Sequence, residues 1–271
     1  MNNALMFRTS LASAVLAAVL AMGLAAGTGV SRAQAATLVV YCGGSMAEPL
    51  KQVGADFTRV TGNTLDITSA TTGVMLKRLQ AGEKADLIAL VDDALGGLGK
   101  DGSVIASSIR PVGRVVLGVS VKAGAPRPDI STPEAFKASM LAAKSVAYPD
   151  PALGATSGTS VAKLFDGWGI SEQMKAKTVL KPVGAQVAKA VADGEVELGL
   201  TFVSEMIPEK RIDVVGLFPA AILNPQLYDI GLSTKATDPA VARAFLDFLA
   251  QPAEQARLKA AGIELVARPA G

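Results

Sequence analysis

The stretch LVVYCGGSM, residues 38–46, joins a short apolar run to two glycines and a serine. Four consecutive apolar residues, Leu38 to Tyr41, are typical of a buried strand. Glycine lets a main chain come close to another group, or turn in a left-handed conformation, without steric cost. The stretch therefore predicts a strand that ends where a ligand or another group approaches the backbone, or where the chain turns.

Beyond this stretch, helical and extended patterns alternate along the chain. Apolar residues at helical spacing predict a helix that starts near Pro49 and ends before Gly62. Strand-helix-strand repetition is typical of a sheet covered by helices on both faces. The predicted strands are 38–41, 64–68, 85–91, 115–121, 145–148, 198–202 and 227–233. The predicted helices after the first are 74–80, 133–143, 159–168, 186–192 and one in which Asp238 is the N-cap.

Two long apolar strands divide these elements into two groups. The residues between them carry their own alternating set of strands and helices. We therefore predict an α/β fold of two lobes, each a sheet flanked by helices, with strands 115–121 and 227–233 crossing between the lobes. The predicted boundaries are 36–114 for the first part of lobe 1, 115–226 for lobe 2 and 227–271 for the return to lobe 1.

The first 35 residues predict a secretory signal peptide. Arg8 precedes an apolar stretch, 11–26, and small residues lead to an A-x-A cleavage site that ends at Ala35. The apolar stretch is shorter than the ~20 residues that a membrane-spanning helix needs. We expect cleavage before Ala36 and a soluble mature chain in the periplasm.

The charges of the mature chain balance. The full chain has 26 basic and 24 acidic residues, and two of the basic ones, Arg8 and Arg32, lie in the predicted signal peptide. A neutral chain argues against nucleic acid, which requires a basic face, and against acidic membranes as the main partner. We expect a monomer that binds no nucleic acid.

The chain has no histidine, and Cys42 is its one cysteine. The missing imidazole excludes serine-histidine and cysteine-histidine nucleophiles and the usual zinc sites. A single cysteine excludes an intramolecular disulfide, and we expect Cys42 to be a small buried hydrophobe. We expect a protein that is not an enzyme and that holds no metal or cofactor.

Three segments place hydroxyl groups and glycine between a predicted strand and a predicted helix: YCGGSM (41–46), SATTGV (69–74) and GATSGTS (154–160). A helix N-terminus offers unpaired N–H groups and a partial positive charge, so three such ends in one cleft would bind an anion without a cation. The alternative is that these residues only cap helices and form turns. In an open α/β sheet, the carboxyl ends of the strands form the ligand crevice.

Five segments spread over the mature chain carry a family resemblance. Among them LQAGEKADL, residues 79–87, is the most specific, because its AG-x-x-ADL pattern is typical of one protein family, in which it follows the second ligand-binding loop. On these segments the chain resembles the periplasmic molybdate-binding proteins of ABC importers, within the type II solute-binding superfamily. The resemblance implies two lobes around a cleft that closes on a small oxyanion, and an inner-membrane ABC permease as partner. The five segments are VVYCGGSMAEPLKQVGADF, LKRLQAGEKADLIAL, VAYPDPALGATSGTSVAKLFDGWGI, VADGEVELGLTFVSE and FLDFLAQPAEQARLKAAGI.

The resemblance also implies which residues hold the oxyanion, all as neutral donors. The serine after the first strand corresponds to Ser45, and the hydroxyl residue of the second loop to Thr72, with Thr71 beside it. Main-chain donors correspond to Ser157 and to Gly184. Such a site would discriminate against hydrogen phosphate, whose proton it cannot accept. It would then sort molybdate, tungstate and sulfate by size, and the resemblance implies that the ligand is molybdate or tungstate.

One position departs from the family pattern. The tyrosine of the family corresponds to Phe202, which has no hydroxyl group. A hydrogen bond to a charged group contributes about 1.5 to 3 kcal/mol, so a replacement is needed. Thr201, Ser204 or a water would replace the lost donor, or the ligand is another small anion, such as sulfate, an organic acid or a phosphorylated metabolite.

Two further expectations concern charge and chemistry. The carboxylate of Asp150 would repel a dianion, so we expect it to turn away from the site and to cap or pair. A distant alternative is an exported hydrolase that uses Ser45 or Ser157 as nucleophile. The missing histidine, and the absence of lysine from both loops, argue against that alternative.

Overall fold

A computed structural model describes residues 35–266 of the chain. The predicted signal peptide, apart from its last residue, lies outside the described residues. No helix in the described part of the chain combines the length and the apolarity that crossing a bilayer requires.

The described residues alternate between strands and helices from end to end. In chain order the strands are β1 (Thr37–Gly43), β2 (Thr64–Ala70), β3 (Leu87–Val91), β4 (Arg110–Val115), β5 (Leu117–Lys122), β6 (Val146–Pro149), β7 (Thr178–Lys181), β8 (Leu198–Phe202), β9 (Ile212–Leu217) and β10 (Gln226–Leu232). The helices are α1 (Gly44–Thr61), α2 (Thr72–Gln80), α3 (Asp92–Lys100), α4 (Pro133–Ala142), α5 (Thr156–Gly167), α6 (Ser171–Lys175), α7 (Gly184–Asp193), α8 (Val203–Met206), α9 (Pro239–Leu249) and α10 (Pro252–Ala260).

The strands form two mixed sheets of five strands each. The first sheet has the order β2-β1-β3-β10-β4, in which β1 runs parallel to β2 and β3, and β10 runs antiparallel to β3 and β4. The second has the order β7-β6-β8-β5-β9, in which β6 runs parallel to β7 and β8, and β5 runs antiparallel to β8 and β9. Helices flank both sheets, so the predicted α/β fold of two lobes is confirmed.

Helix α1 starts earlier than predicted. It begins at Gly44, directly after β1, so that Pro49 lies inside the helix. Met46, Leu50 and Phe57 are buried, which explains the helical spacing of the apolar residues. The predicted end is correct, because Gly62 has a left-handed conformation, with φ of +80°, at the C-cap. The strand therefore enters the helix without a turn, and the first turn of α1 faces the carboxyl edge of the sheet.

The predicted crossing strand 115–121 is not a single strand, although the chain does cross from the first sheet to the second within it. Strand β4 pairs with β10 in the first sheet, whereas β5 pairs with β8 and β9 in the second. One straight strand cannot belong to both sheets, so the chain breaks at Val116. The predicted strand 227–233 is also not a crossing strand, because β10 lies wholly within the first sheet. The predicted lobe boundaries at residues 114, 115, 226 and 227 stay predictions.

Three edge strands were absent from the sequence-based expectation: β4, β7 and β9. Edge strands are partly exposed, so they need less apolar sequence than central strands. Leu180 in β7 is 46% exposed and Leu217 in β9 is 41% exposed. Helix α5 also begins three residues before the predicted start, at Thr156. The predicted N-cap is confirmed, since Asp238 accepts a hydrogen bond from the Val241 N–H at 3.0 Å.

Cys42 is the small buried hydrophobe that the sequence predicts. Its side chain has no exposed area and packs in the main core with Met46 and Leu50. Burial raises the pKa of the Cys42 thiol to about 12. The thiol is therefore a packing group directly beside the two glycines of the opening stretch.

Candidate functional site

A cavity lies where strand ends and helix N-termini of both lobes meet. Its empty volume is about 270 Å³, part of which is open to solvent. All six residues that the resemblance marked, Ser45, Thr71, Thr72, Ser157, Gly184 and Phe202, line it. Its other lining residues are Gly44, Ala70, Pro149, Ala155, Thr156, Val183, Glu205 and Tyr228.

Two hydroxyl groups in this cavity have no partner. Ser45, in the first turn of α1, is 2% exposed, and Thr72, the first residue of α2, is 7% exposed. Neither Ser45 Oγ nor Thr72 Oγ1 makes a hydrogen bond of good geometry with any described residue, although both lie beside the Tyr228 phenol. A buried hydroxyl without a partner costs about 1 to 3 kcal/mol, so an unpaired group in a folded protein requires an explanation. Two such groups in one cavity are donors available to a ligand.

The Thr71 hydroxyl, in contrast, is already used. It donates to the Leu153 carbonyl oxygen of the other lobe and accepts from the Val74 N–H at 3.2 Å as the N-cap of α2. Its one proton is therefore committed. Thr71 lines the cavity, but the lobe-to-lobe contact uses the donor that the sequence analysis assigned to a ligand.

A second contact between the lobes lies beside this one. The Gly73 N–H donates to the Gly154 carbonyl oxygen at 3.3 Å. A Cβ atom on Gly154 would lie 2.6 Å from the Gly73 Cα, and Gly154 has a φ of +69°. Only glycine satisfies both the left-handed conformation and the close approach at this position. The loops before α2 and α5 therefore hold the two walls of the cavity together.

Helix α5 brings Ser157 to the cavity. Ser157 is 3% exposed and lies in the first turn, after an N-cap residue, Ala155, that has no side-chain oxygen. The first turns of α1 and α5 thus both face the cavity without a side-chain cap. Uncapped N–H groups and the helix dipole favour an anion at such a point.

Glu205 is a functional candidate that the sequence analysis missed. Its side chain is buried, its Oε1 accepts from the Gly184 N–H at 3.1 Å, and its Oε2 accepts from Thr201 Oγ1 at 2.7 Å. Burial raises the pKa of the Glu205 carboxyl to about 7, although hydrogen bonds from Thr201, Gly184 and Phe202 act in the opposite direction. The main-chain donor predicted at Gly184 is therefore already bound to a carboxyl group of the protein.

Tyr228, which was not among the predicted site residues, supplies a tyrosine hydroxyl to the cavity. It lies in β10, is 2% exposed, and faces the hydroxyl groups of Ser45, Thr72 and Thr156. Burial raises the pKa of the Tyr228 phenol, so the group stays protonated. Phe202 contributes only its ring, and the site gains a phenol from the other sheet.

Neither protein donor expected to compensate for Phe202 does so. The Thr201 hydroxyl is bound to Glu205. Ser204 Oγ is buried without a partner among the described residues, but Ser204 does not line the cavity.

The two glycines of the opening stretch are explained by close approach and not by a turn. Gly43 has an extended conformation, with φ of −63°. A Cβ atom on Gly43 would lie 2.8 Å from the Tyr228 hydroxyl oxygen, and one on Gly44 would lie 2.6 Å from Glu205 Oε1. The side chains of Tyr228 and Glu205, which were not predicted to belong to the site, thus lie against the backbone at the end of β1.

The expected orientation of Asp150 is confirmed. Its Oδ1 accepts from the Ala152 N–H at 2.9 Å and caps a short 3-10 helix. Among the described residues that line the cavity, none is lysine or arginine. Glu205 is the one residue in that lining with a carboxyl side chain.

The segment with the most specific family pattern, 79–87, has a structural role. Asp86 is 2% exposed, and its carboxylate accepts from the Val39 N–H at 2.7 Å and from the Thr237 N–H and hydroxyl at 2.5 and 2.8 Å. It precedes β3, at the opposite end of that strand from the cavity. This pattern therefore indicates the fold and carries no information about the ligand.

The chain is similar to known proteins over most of its length. A family model described as bacterial extracellular solute-binding protein matches residues 38–264. A protein named aconitate isomerase, from Pseudomonas sp, is 34% identical over 85% of this chain and 88% of its own length. The molybdate-binding protein ModA of Azotobacter vinelandii is 29% identical over 91% of this chain and 97% of its own length.

A solved structure shows the same architecture. The periplasmic molybdate-binding protein of Azotobacter vinelandii superimposes with a TM-score of 0.73 at 19% identity, over 85% of this chain and 100% of that chain. At this identity the likeness shows the fold alone. Taken with the family match over most of the chain, these findings establish that the chain belongs to the bacterial extracellular solute-binding protein family.

Proposed function

We propose that this protein captures a small anion in the cavity between its lobes and delivers it to an ABC permease. The single observation that supports this most is a pair of buried hydroxyl groups in one cavity, Ser45 Oγ and Thr72 Oγ1, which have no hydrogen-bond partner in the described part of the chain. Uncapped first turns of two helices add donors without adding a cation. We further propose a monomer in the periplasm, exported by the signal peptide.

Molybdate or tungstate is the first candidate for the ligand. The uncharged donors of Ser45, Thr72 and Tyr228 suit a tetrahedral oxyanion, and Tyr228 replaces the hydroxyl that Phe202 lacks. The relative from Azotobacter vinelandii, 29% identical, is named as a molybdate-binding protein. The buried carboxyl group of Glu205 argues against this candidate, because an ionised carboxylate repels a dianion.

An organic acid is the second candidate, with or without a chemical reaction. Glu205 and Tyr228 place a carboxyl group of pKa near 7 and a neutral phenol in one cavity, which is a suitable pair for moving a proton on a bound acid. The relative from Pseudomonas sp, 34% identical, is named aconitate isomerase. A proton transfer that shifts a double bond would need no histidine or metal, so a reaction of this class is compatible with the residues present.

Thermal unfolding of the mature protein distinguishes these candidates. The panel contains molybdate, tungstate, sulfate, phosphate, citrate, and cis- and trans-aconitate. A ligand at ~1,000 times its dissociation constant stabilises the fold by about 4 kcal/mol, which raises the unfolding midpoint by several degrees. A shift with molybdate and tungstate alone supports the first candidate, and a shift with the organic acids alone supports the second.

Chromatographic separation of cis- and trans-aconitate after incubation with the protein tests for a reaction. Turnover that disappears in Glu205→Gln would support an isomerase, whereas binding without turnover would support a receptor. Absence of any shift with the whole panel would contradict the capture of a small anion. A Thr72→Val variant, which loses a hydroxyl group at nearly constant shape, should reduce whichever shift is found.

A further inference from the structure

The carboxyl group of Glu205 lies where an anion would be held. Its Oε1 accepts from the Gly184 N–H at the start of α7, and it lies so close to Gly44 that a Cβ there would be 2.6 Å away. Gly44 is the first residue of α1, which belongs to the other lobe. The carboxyl group thus lies between the N-termini of two helices from opposite walls of the cavity.

Few groups can balance a negative charge on Glu205. Tyr228 of β10 is the titratable group that faces it, and the Glu205 charge contributes to raising the pKa of that phenol. In the described part of the chain, no charged side chain of α1, α7, β5, β8 or β9 contributes to the raised pKa of Glu205. Burial without a counter-charge favours the protonated carboxyl group, with a pKa of about 7.

We propose, on the basis of the proposed anion capture, that one proton lies between Glu205 and the bound anion. A ligand with a hydroxyl or acid O–H group supplies that proton itself, as a hydrogen bond donated to the Glu205 carboxylate. A ligand without an O–H group binds only when Glu205 takes up a proton from solvent. The cavity therefore selects hydroxylated or protonated acids over fully ionised anions as the pH rises.

The pH dependence follows from the number of protons bound. Above pH 7, Glu205 is ionised in the protein without ligand. Each further pH unit then lowers the affinity for an anion without an O–H group about tenfold, because binding requires one proton. Below that pH the carboxyl group is already protonated, and the affinity is constant. A ligand that donates its own O–H group loses less affinity over the same range.

Isothermal titration at pH 6 and pH 8 tests this proposal. The probes are sulfate and molybdate, and a matched pair of dicarboxylates, succinate and malate, which differ by one hydroxyl group. At pH 8, titration in buffers of different ionisation heat should show uptake of nearly one proton with sulfate, molybdate or succinate, and less with malate. The ratio of malate to succinate affinity should rise by about tenfold between pH 6 and pH 8.

Glu205→Gln is the informative variant, because an amide keeps the shape and cannot titrate. It should abolish proton uptake and bring the malate-to-succinate ratio at pH 8 close to its value at pH 6. Glu209→Gln is the control, since Glu209 pairs with Arg211 outside the cavity. It should leave both measurements unchanged, and circular dichroism would verify that each variant is folded.

The outcomes separate this proposal from the proposed function. Binding with the same affinity at both pH values, or proton uptake that persists in Glu205→Gln, overturns the shared proton and leaves anion capture intact. If none of the four probes binds the wild-type protein even at pH 6, the shared proton is overturned, whereas anion capture fails only if the whole thermal-unfolding panel also gives no shift.

Discussion

The two walls of the cavity differ in how their polar groups are satisfied. On the wall of the first lobe, the hydroxyl groups of Ser45 and Thr72 are buried without a hydrogen-bond partner among residues 35–266. On the wall of the second lobe, the Gly184 N–H and the Thr201 hydroxyl are both bound to Glu205. The first wall therefore offers uncommitted hydroxyl groups, whereas the second already contains a carboxyl group.

This difference shows that a set of donors does not by itself identify a ligand. The hydroxyl pattern on the first wall suits any small anion, because hydroxyl groups and helix N-termini carry no sign of the ligand's protonation state. The second wall can distinguish ligands, since a buried carboxyl group interacts differently with an O–H group and with a bare oxyanion.

Gly184→Ala should lower the free energy of unfolding more than any other change considered. It alters only the second wall. A Cβ atom there would lie 2.0 Å from Glu205 Oε2 and 2.2 Å from Thr201 Oγ1. Overpacking together with a weakened hydrogen bond to a buried carboxyl group should reduce the free energy of unfolding by about 4 kcal/mol. Urea denaturation without ligand measures this change.

Gly96→Ala in α3 is the matched control. No atom lies within 4 Å of a Cβ built on Gly96. Alanine is a better helix former than glycine, so this variant should be as stable as the wild type or more stable by up to about 1 kcal/mol. Equal stability of Gly184→Ala and the wild type would contradict the tight packing of the second wall.

The pH dependence of stability should show the next largest effect. The pKa of Glu205 is raised from 4.5 to about 7 in the folded protein. Between these pH values the unfolded chain is ionised while the folded chain holds a proton, so rising pH destabilises the fold. The loss is complete above pH 7 and amounts to about 3 kcal/mol, at ~1.4 kcal/mol for each unit of pKa shift.

Urea denaturation of the wild type and Glu205→Gln at pH 5 and pH 8 isolates this contribution. The wild type should lose about 2 to 3 kcal/mol more than the variant between the two values, because a small part of the loss occurs below pH 5. Glu209 provides a contrast of opposite sign, because hydrogen bonds from Arg211 lower its pKa. An identical pH profile for the wild type and Glu205→Gln would show that Glu205 has an ordinary pKa.

Ser45→Ala should have the smallest effect on stability and a clear effect on binding. Its hydroxyl group makes no hydrogen bond within residues 35–266, so its loss should not lower the free energy of unfolding. If it donates to a bound anion, binding should weaken by about 1.5 to 3 kcal/mol. Isothermal titration with the strongest ligand of the panel measures that change.

Ser204→Ala is a closely matched control for this variant. Ser204 Oγ is also buried without a partner among residues 35–266, but Ser204 does not line the cavity. Its substitution should leave the affinity unchanged. Equal weakening by the two variants would contradict a direct role of the first wall in binding.

The sequence predicts the first wall better than the second for a physical reason. Ser45 and Thr72 follow strands directly, so the carboxyl-edge rule for α/β sheets is enough to place them in a cleft. Glu205 lies at the third position of a four-residue helix, where acids are ordinary capping residues, and nothing in the sequence distinguishes it from a cap. Tyr228 lies in β10, which the sequence predicts as a strand, but a local pattern does not show which of its side chains reaches the cavity.

The same reasoning explains which parts of the fold were predictable. Central strands such as β8 are buried at every residue, and their sequence signal is strong. The break at Val116 depends on pairing with different sheets before and after it, and pairing partners are not visible in a local pattern. The closeness of Gly73 and Gly154 is likewise a property of two loops that are far apart in the sequence.

Cys42 has a consequence for how this chain can be observed. Its thiol is the only one in the sequence, and it is sealed in the core beneath the end of β1. A sulfhydryl with a pKa near 12 contains almost no thiolate at neutral pH, so it resists alkylation and disulfide exchange while the protein is folded. Labelling of this atom by a thiol reagent therefore reports opening of the core, without the need to introduce a probe.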